Sequence, residues 1–149
     1  MIPKAELKKI MHYCAYQERC THEVKTKLKE YNLSYQIIQE IINKLIEDNF
    51  VNDERFCKIY AISKFKHNKW GRLKIEMALK QKMLPNNLIE IGLAEIPEAD
   101  YKKLIVDLFH SKIKDENISY EEKIKTMQYI ASKGFEKDLI LTCINSVFK

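Results

Sequence analysis

Apolar side chains return every third or fourth residue along this chain, as in Ile38, Ile42 and Leu45. That spacing puts them on one face of an α-helix. Alternating β-branched runs bounded by turn residues, the mark of strands, do not occur in the sequence. The periodicity predicts nine helices, roughly over 4–18, 22–31, 35–48, 53–67, 72–82, 86–95, 98–114, 120–133 and 137–148. Several boundaries carry their own chemistry. Thr21 can cap the amides of the helix that follows it, and Ser119 with Glu122 forms an S-x-x-E capping box. Pro85 and Pro97 suit a first helical turn, where a missing amide is harmless, and Gly134 suits a left-handed stop.

The helices repeat. Shifting the sequence by 51 residues aligns Val24–Leu45 with Ile75–Ile96, and a second shift of 51 reaches Thr126–Val147, with no gap. Six columns are then wholly apolar: Leu28, Leu79 and Ile130; Leu33, Leu84 and Phe135; Ile37, Leu88 and Leu139; Ile38, Ile89 and Ile140; Ile42, Leu93 and Ile144; Leu45, Ile96 and Val147. At this apolar content chance supplies about two such columns, so a duplication explains them better. The column Ile41, Gly92 and Cys143 departs, and Gly92 there marks a close helix approach or a weak point. The fold class is therefore all-α, with three tandem three-helix repeats over 1–50, 51–97 and 98–149. A unit of about fifty residues is marginal alone, so the units should pack as an elongated, curved array suited to an extended partner.

Composition narrows the function. The 149 residues are 46% hydrophobic and 32% charged, a balance that describes a folded globular chain. No run of about eighteen apolar residues is present to cross a bilayer. The opening "MIPKAELKKIMHY" meets charge too early for a secretory segment, so a cytoplasmic location with free thiols is expected. Cys14, Cys20 and His22 come nearest to a metal cluster, but tetrahedral sites need tight ligand pairs, and no cofactor is expected. Neither G-x-x-x-x-G-K-[ST] nor G-x-G-x-x-G occurs, so the phosphate cradle of a nucleotide enzyme is missing. Nothing places paired carboxylates such as Glu121 and Glu122 in a low-dielectric cleft, and no enzyme activity is expected.

Charge, by contrast, is concentrated. Residues 64–82, "KFKHNKWGRLKIEMALKQK", hold seven basic residues against one acid, Glu76, while the whole chain has a net charge of +5. The rest of the chain is close to neutral. Lys64, Lys66, Lys69, Arg72 and Lys74 straddle a helix–turn–helix corner, where they could reach phosphates or an acidic protein surface. Trp70 lies among them and could stack on a base or fill a partner pocket. Winding 72–82 as a helix puts Ile75 and Leu79 on one face and Leu73, Met77 and Lys80 on another. That second stripe is expected to pack against an adjacent unit. Asp53 and Arg55 open the fourth helix as capping or ion-pairing groups.

Certain motifs now have a family resemblance. "VNDERFC" at 51–57, "KWGRLKIEMAL" at 69–79 and "YIASKGF" at 129–135, with "RCTHEVKTKL" at 19–28, resemble the RecX family of recombinase regulators in order and spacing. The family commonly has proline after the glycine of the second motif, where this chain has Arg72, and an acid where it has Ala78. The resemblance implies a non-enzymatic regulator in DNA repair, recombination and the SOS response. Such a protein lies in the groove of the filament that the RecA recombinase forms on single-stranded DNA, and modulates ATP turnover and strand exchange, with inhibition the expected direction. The expected partners are thus the RecA-type filament and its single strand, met by a monomer through Lys64, Lys66, Lys69, Trp70, Arg72, Lys74 and Lys80. A free-standing helical DNA-binding module and a protein-interaction scaffold without DNA binding are the alternatives.

Overall fold

The period of the sequence reappears in the backbone. In the computed structural model, which describes residues 1–113 and 117–147, the described residues form nine helices and no strand. They are α1 (Lys4–Tyr16), α2 (Thr21–Lys29), α3 (Tyr35–Glu47), α4 (Asp53–Asn68), α5 (Arg72–Gln81), α6 (Asn86–Leu93), α7 (Glu98–Lys112), α8 (Tyr120–Ser132) and α9 (Lys137–Val147). The expected ends at 114 and 148 lie outside the described residues. Asn32, Met83 and Gly134, each 51 residues from the next, all take left-handed backbone, with φ of 56°, 62° and 100°. Just before them, the amides of Tyr31, Lys82 and Lys133 donate to the carbonyls of Leu28, Leu79 and Ile130, each at 3.1 Å. Those three carbonyl residues are completely buried, and Ile38, Ile89 and Ile140 are buried as well. The one exposed member of the six apolar columns is Val147. No described helix is long and apolar enough to cross a membrane.

Helix starts follow the expected chemistry with two shifts. Ser119 Oγ accepts the Glu122 amide at 3.1 Å, and Ser34 Oγ accepts that of Ile37 at 3.2 Å. Cys20 rather than Thr21 holds the cap position of α2, and the Glu23 carboxylate accepts the Cys20 amide at 3.1 Å. Thr21 is instead the first helical residue, because Asp53 Oδ1 reaches across from α4 and accepts both its amide, at 2.7 Å, and its hydroxyl, at 3.0 Å. Pro97 sits one place before its helix, in extended backbone with ψ of 132°. Pro85 also sits one place before its helix, its carbonyl accepting the amides of Leu88 and Ile89. A proline fixes φ without a donor, which serves a cap as well as a first turn.

The chain falls into two compact units that cut it at different places from the repeat period: Met1–Ile59 with Leu79–Gly92, and Tyr60–Ala78 with Leu93–Lys149. In the first, Ile10, Cys14, Val24, Leu28, Ile38, Ile41, Ile42, Leu45 and Val51 form one core from the apolar stripes of α1, α2 and α3. The start of α4 locks onto it. Besides the Asp53 contact, Arg55 Nε donates to Glu18 at 2.8 Å, and its Nη2 donates to the carbonyls of Asn49 and Phe50 that follow α3. A Cβ on Gly92 would lie 2.6 Å from the Cys57 carbonyl oxygen, so this glycine marks a close helix approach. All four cysteines are free and buried. Burial pushes the thiols of Cys14 and Cys57 up to about 11 and that of Cys20 to about 12, which keeps them protonated at neutral pH.

The second unit is organised around a backbone seam. The Gly71 amide donates to the Lys133 carbonyl at 2.8 Å, and the Leu73 amide donates to the Gly134 carbonyl at 2.9 Å. The corner between α4 and α5 therefore docks main chain to main chain on the turn between α8 and α9. A Cβ on Gly71 would stand 2.3 Å from the Gly134 carbonyl carbon and oxygen, and one on Gly134 would stand 2.5 Å from Lys74 Cβ. Below the seam, the buried Tyr101 ring stacks on Phe65 at 5.9 Å and tilts against Phe135 at 5.0 Å. Gly71→Ala is expected to lower stability by at least about 2 kcal/mol, because the clash is with backbone that cannot yield like a side chain. Urea unfolding of the variant checks this, and an unchanged midpoint would show that the seam is not closed.

Candidate partner-binding surface

The corner that meets the seam also carries the cations. Helix α4 ends at Asn68, Lys69 turns the chain with φ of 57°, and the Trp70 amide donates back to the Lys64 carbonyl at 3.2 Å. This return folds the Trp70 ring over the end of α4, half-buried, with Lys64 Nζ 5.0 Å and Lys74 Nζ 4.8 Å from its centroid. Lys64 also lies 5.4 Å from the Tyr60 ring. Lys66, His67 and Lys69 are exposed on the same corner. None of Lys64, Lys66, Lys69 and Lys74 makes an ion pair among the described residues. Their charges face outward, two of them held against aromatic faces by cation–π attraction.

Arg72 departs from this group. Its guanidinium turns inward over the Tyr101 ring, 3.9 Å from the centroid. There Nε donates to Glu136 at 2.8 Å and Nη1 to Glu98 at 2.9 Å. Its amide donates to the Tyr101 hydroxyl at 2.9 Å, and that hydroxyl donates in turn to Glu136. Burial works against the arginine's charge, but the two carboxylates outweigh it and hold its pKa above the ordinary value. Burial, then the bond to Glu136, raises that of Tyr101. Arg72 is thus spent on structure, because Glu98 and Glu136 stand within reach on neighbouring elements. Lys80 is exposed near the end of α5, on the part of that helix that belongs to the first unit.

The second stripe of α5 is the larger departure. Ile75 and Leu79 are fully buried as expected, but Leu73 is 49% and Met77 64% exposed rather than packed on an adjacent unit. Two apolar side chains therefore stand in the open on α5, the helix that starts at the corner. The corner offers both what a polyanion needs and what a protein surface needs. Sequence reading missed Tyr101, whose place among Ile105, Leu108 and Phe109 at helical spacing marks it as core but not as the acceptor for Arg72.

Comparison with known proteins places these features in company. Residues 7–45 match the model described as RecX, first three-helix domain, and residues 52–93 that of RecX, second three-helix domain. A Regulatory protein RecX of Lactobacillus johnsonii is 31% identical over 145 residues, covering 93% of this chain and 54% of the relative. One of Bacillus cytotoxicus is 29% identical over 152 residues, covering 98% and 54%. The chain spans about half the length of the curated relatives it matches. The crystal structure of RecX from Lactobacillus salivarius superposes with a TM-score of 0.86 at 28% identity, covering 95% of this chain and 94% of that one.

Two substitutions separate structural from outward-facing cations. Arg72→Ala should lower stability by about 2 kcal/mol, since it removes the guanidinium that Glu136 and Glu98 accept from, while the backbone amide that donates to the Tyr101 hydroxyl is kept. Lys69→Gly should change it by less than about 0.5 kcal/mol, relief of the left-handed strain offsetting glycine's extra freedom in the unfolded chain. Equal losses in thermal unfolding would contradict the assignment.

Proposed function

Because the chain belongs to the RecX family, we propose that it acts as a non-enzymatic regulator of the RecA recombinase, binding the filament on single-stranded DNA in its groove and restraining ATP turnover and strand exchange. The observation that carries this reading is the α4–α5 corner. Its lysines around Trp70, which make no ion pair among the described residues, suit phosphates, while exposed Leu73 and Met77 on the helix that follows suit an apolar protein contact. A filament presents protein and nucleic acid together, so a surface with both chemistries fits it better than it fits bare duplex. The action is steric and electrostatic, and it is exerted by a monomer in the cytoplasm. Arg72 takes part only by fixing the corner on which the lysines stand.

The test is a recombinase ATPase and strand-exchange assay, with the cognate recombinase and across a range of salt. Replacing Lys66 and Lys74 by alanine and Lys69 by glycine should raise the concentration needed for half the effect at least about tenfold. It should also flatten the salt slope by about 2, at roughly 0.7 for each phosphate of a single strand that the variant no longer neutralises. Leu73→Ser with Met77→Ser should weaken the effect without flattening the slope. If wild-type protein leaves both reactions unchanged, the reading fails. Tight binding to duplex in the absence of recombinase would favour the free-standing DNA module instead.

A further inference from the structure

A second aromatic side chain in the same unit repeats the arrangement at Trp70. Tyr129, on α8, is 38% exposed and has Lys112 Nζ 4.5 Å and Lys133 Nζ 5.9 Å from its ring centroid. Lys112 comes from the last turn of α7 and Lys133 from the residue that caps α8. Neither forms an ion pair among the described residues. The seam ties this group to the first one: the Lys133 carbonyl accepts the Gly71 amide at 2.8 Å, and Trp70 is the residue before Gly71. Lys74, which flanks Trp70, is the residue whose Cβ crowds Gly134. Tyr129 lies one helical turn, about 6 Å along the axis, from Lys133. Two carboxylates at the seam, Glu98 and Glu136, are engaged by Arg72 and Tyr101 rather than by these lysines.

We propose that Tyr129, flanked by Lys112 and Lys133, is a second stacking station for single-stranded nucleic acid, so that one strand runs across the Gly71–Gly134 seam from Trp70 to Tyr129. The inference rests on the reading of the corner as a nucleic-acid contact and extends it to residues of the third repeat. Its chemistry is that of sequence-tolerant strand binding: a base stacks on the ring as the ammonium groups now lying over it turn to the phosphates on either side. An acidic protein surface would use the lysines but would have no need of two rings spaced along them.

The experiment is fluorescence anisotropy of a labelled oligothymidylate of about 20 nucleotides with the full chain, over a range of salt. Tyr129→Leu should bind about 5- to 100-fold more weakly with an unchanged salt slope, whereas Tyr129→Phe should bind like wild type. Lys112→Ala with Lys133→Ala should lower the slope by about 1.4. A strand carrying 5-iodouracil should, on irradiation, crosslink to the Tyr129 peptide of the unaltered protein, a readout that does not depend on how the variants fold. If the Tyr129 and double-lysine variants bind like wild type and no crosslink forms at Tyr129, while the corner variant of Lys66, Lys69 and Lys74 is weakened, the second station is wrong and the proposed function stands. If wild-type protein binds no strand yet still restrains the recombinase, the station is also wrong, and the regulator works through protein contacts alone.

Discussion

The contact between Gly71 and Gly134 is the constraint on which the second unit depends. Two main chains approach so closely that no side chain fits between them, and each supplies an amide or a carbonyl to the other. Everything that gives the basic corner a definite shape follows from it. The seam brings the start of α5 to the α8–α9 turn. That places Arg72 over Tyr101 with Glu98 and Glu136 in reach, and leaves Trp70 to fold back over the end of α4. Glycine is needed at both positions for different reasons: Gly71 for space, Gly134 for space and for a φ of 100° that other residues rarely adopt.

Electrostatics at the corner is decided by which charges find partners. Counting along the sequence credits residues 64–82 with six excess positive charges, but a charge in an ion pair with two carboxylates contributes little to an outward field. Subtracting Arg72 weakens the local concentration, while Lys112 and Lys133, distant in sequence, restore it from the other side of the seam. The field that a polyanion would meet is therefore a property of the fold rather than of one segment. Cation–π contacts hold Lys64 and Lys74 at Trp70 in defined places, so part of the ordering that binding requires is already present.

The helices and their threefold repetition were legible because both are written in local chemistry. Two of the apolar columns, Leu28, Leu79 and Ile130 with Ile38, Ile89 and Ile140, are buried in all three copies, and a helix stop sits at the same register in each repeat. Even there, only Gly134 announced its left-handed backbone; Asn32 and above all Met83 adopt it because the tertiary setting overrides their preference. The site was less legible for a related reason. Periodicity identifies Lys64, Trp70 and Lys74 as neighbours across one turn, yet it carries no information about which acid from another helix will claim Arg72. Nor could it tell whether Leu73 and Met77 would find a covering surface. Pairings between distant segments are invisible to spacing, and those pairings are what separate a structural cation from an available one.

Arg72 illustrates how a departure from a family's habit can be absorbed. A proline at that place, which the family commonly has, supplies a fixed φ for the first helical turn and no amide. Here the amide is present and is used, donating to the Tyr101 hydroxyl, which in turn donates a hydrogen bond to Glu136. The guanidinium then closes the ring by binding Glu136 directly and adding Glu98. Tyr101, Glu136 and Arg72 therefore satisfy one another as a set. Changing any one leaves a partly buried polar group without its partner, which is worse than never having had the network. The arginine that looked like a reaching cation is in physical terms a substitute for backbone rigidity. It fixes the first turn of α5 through side-chain bonds where a proline would fix it through its ring.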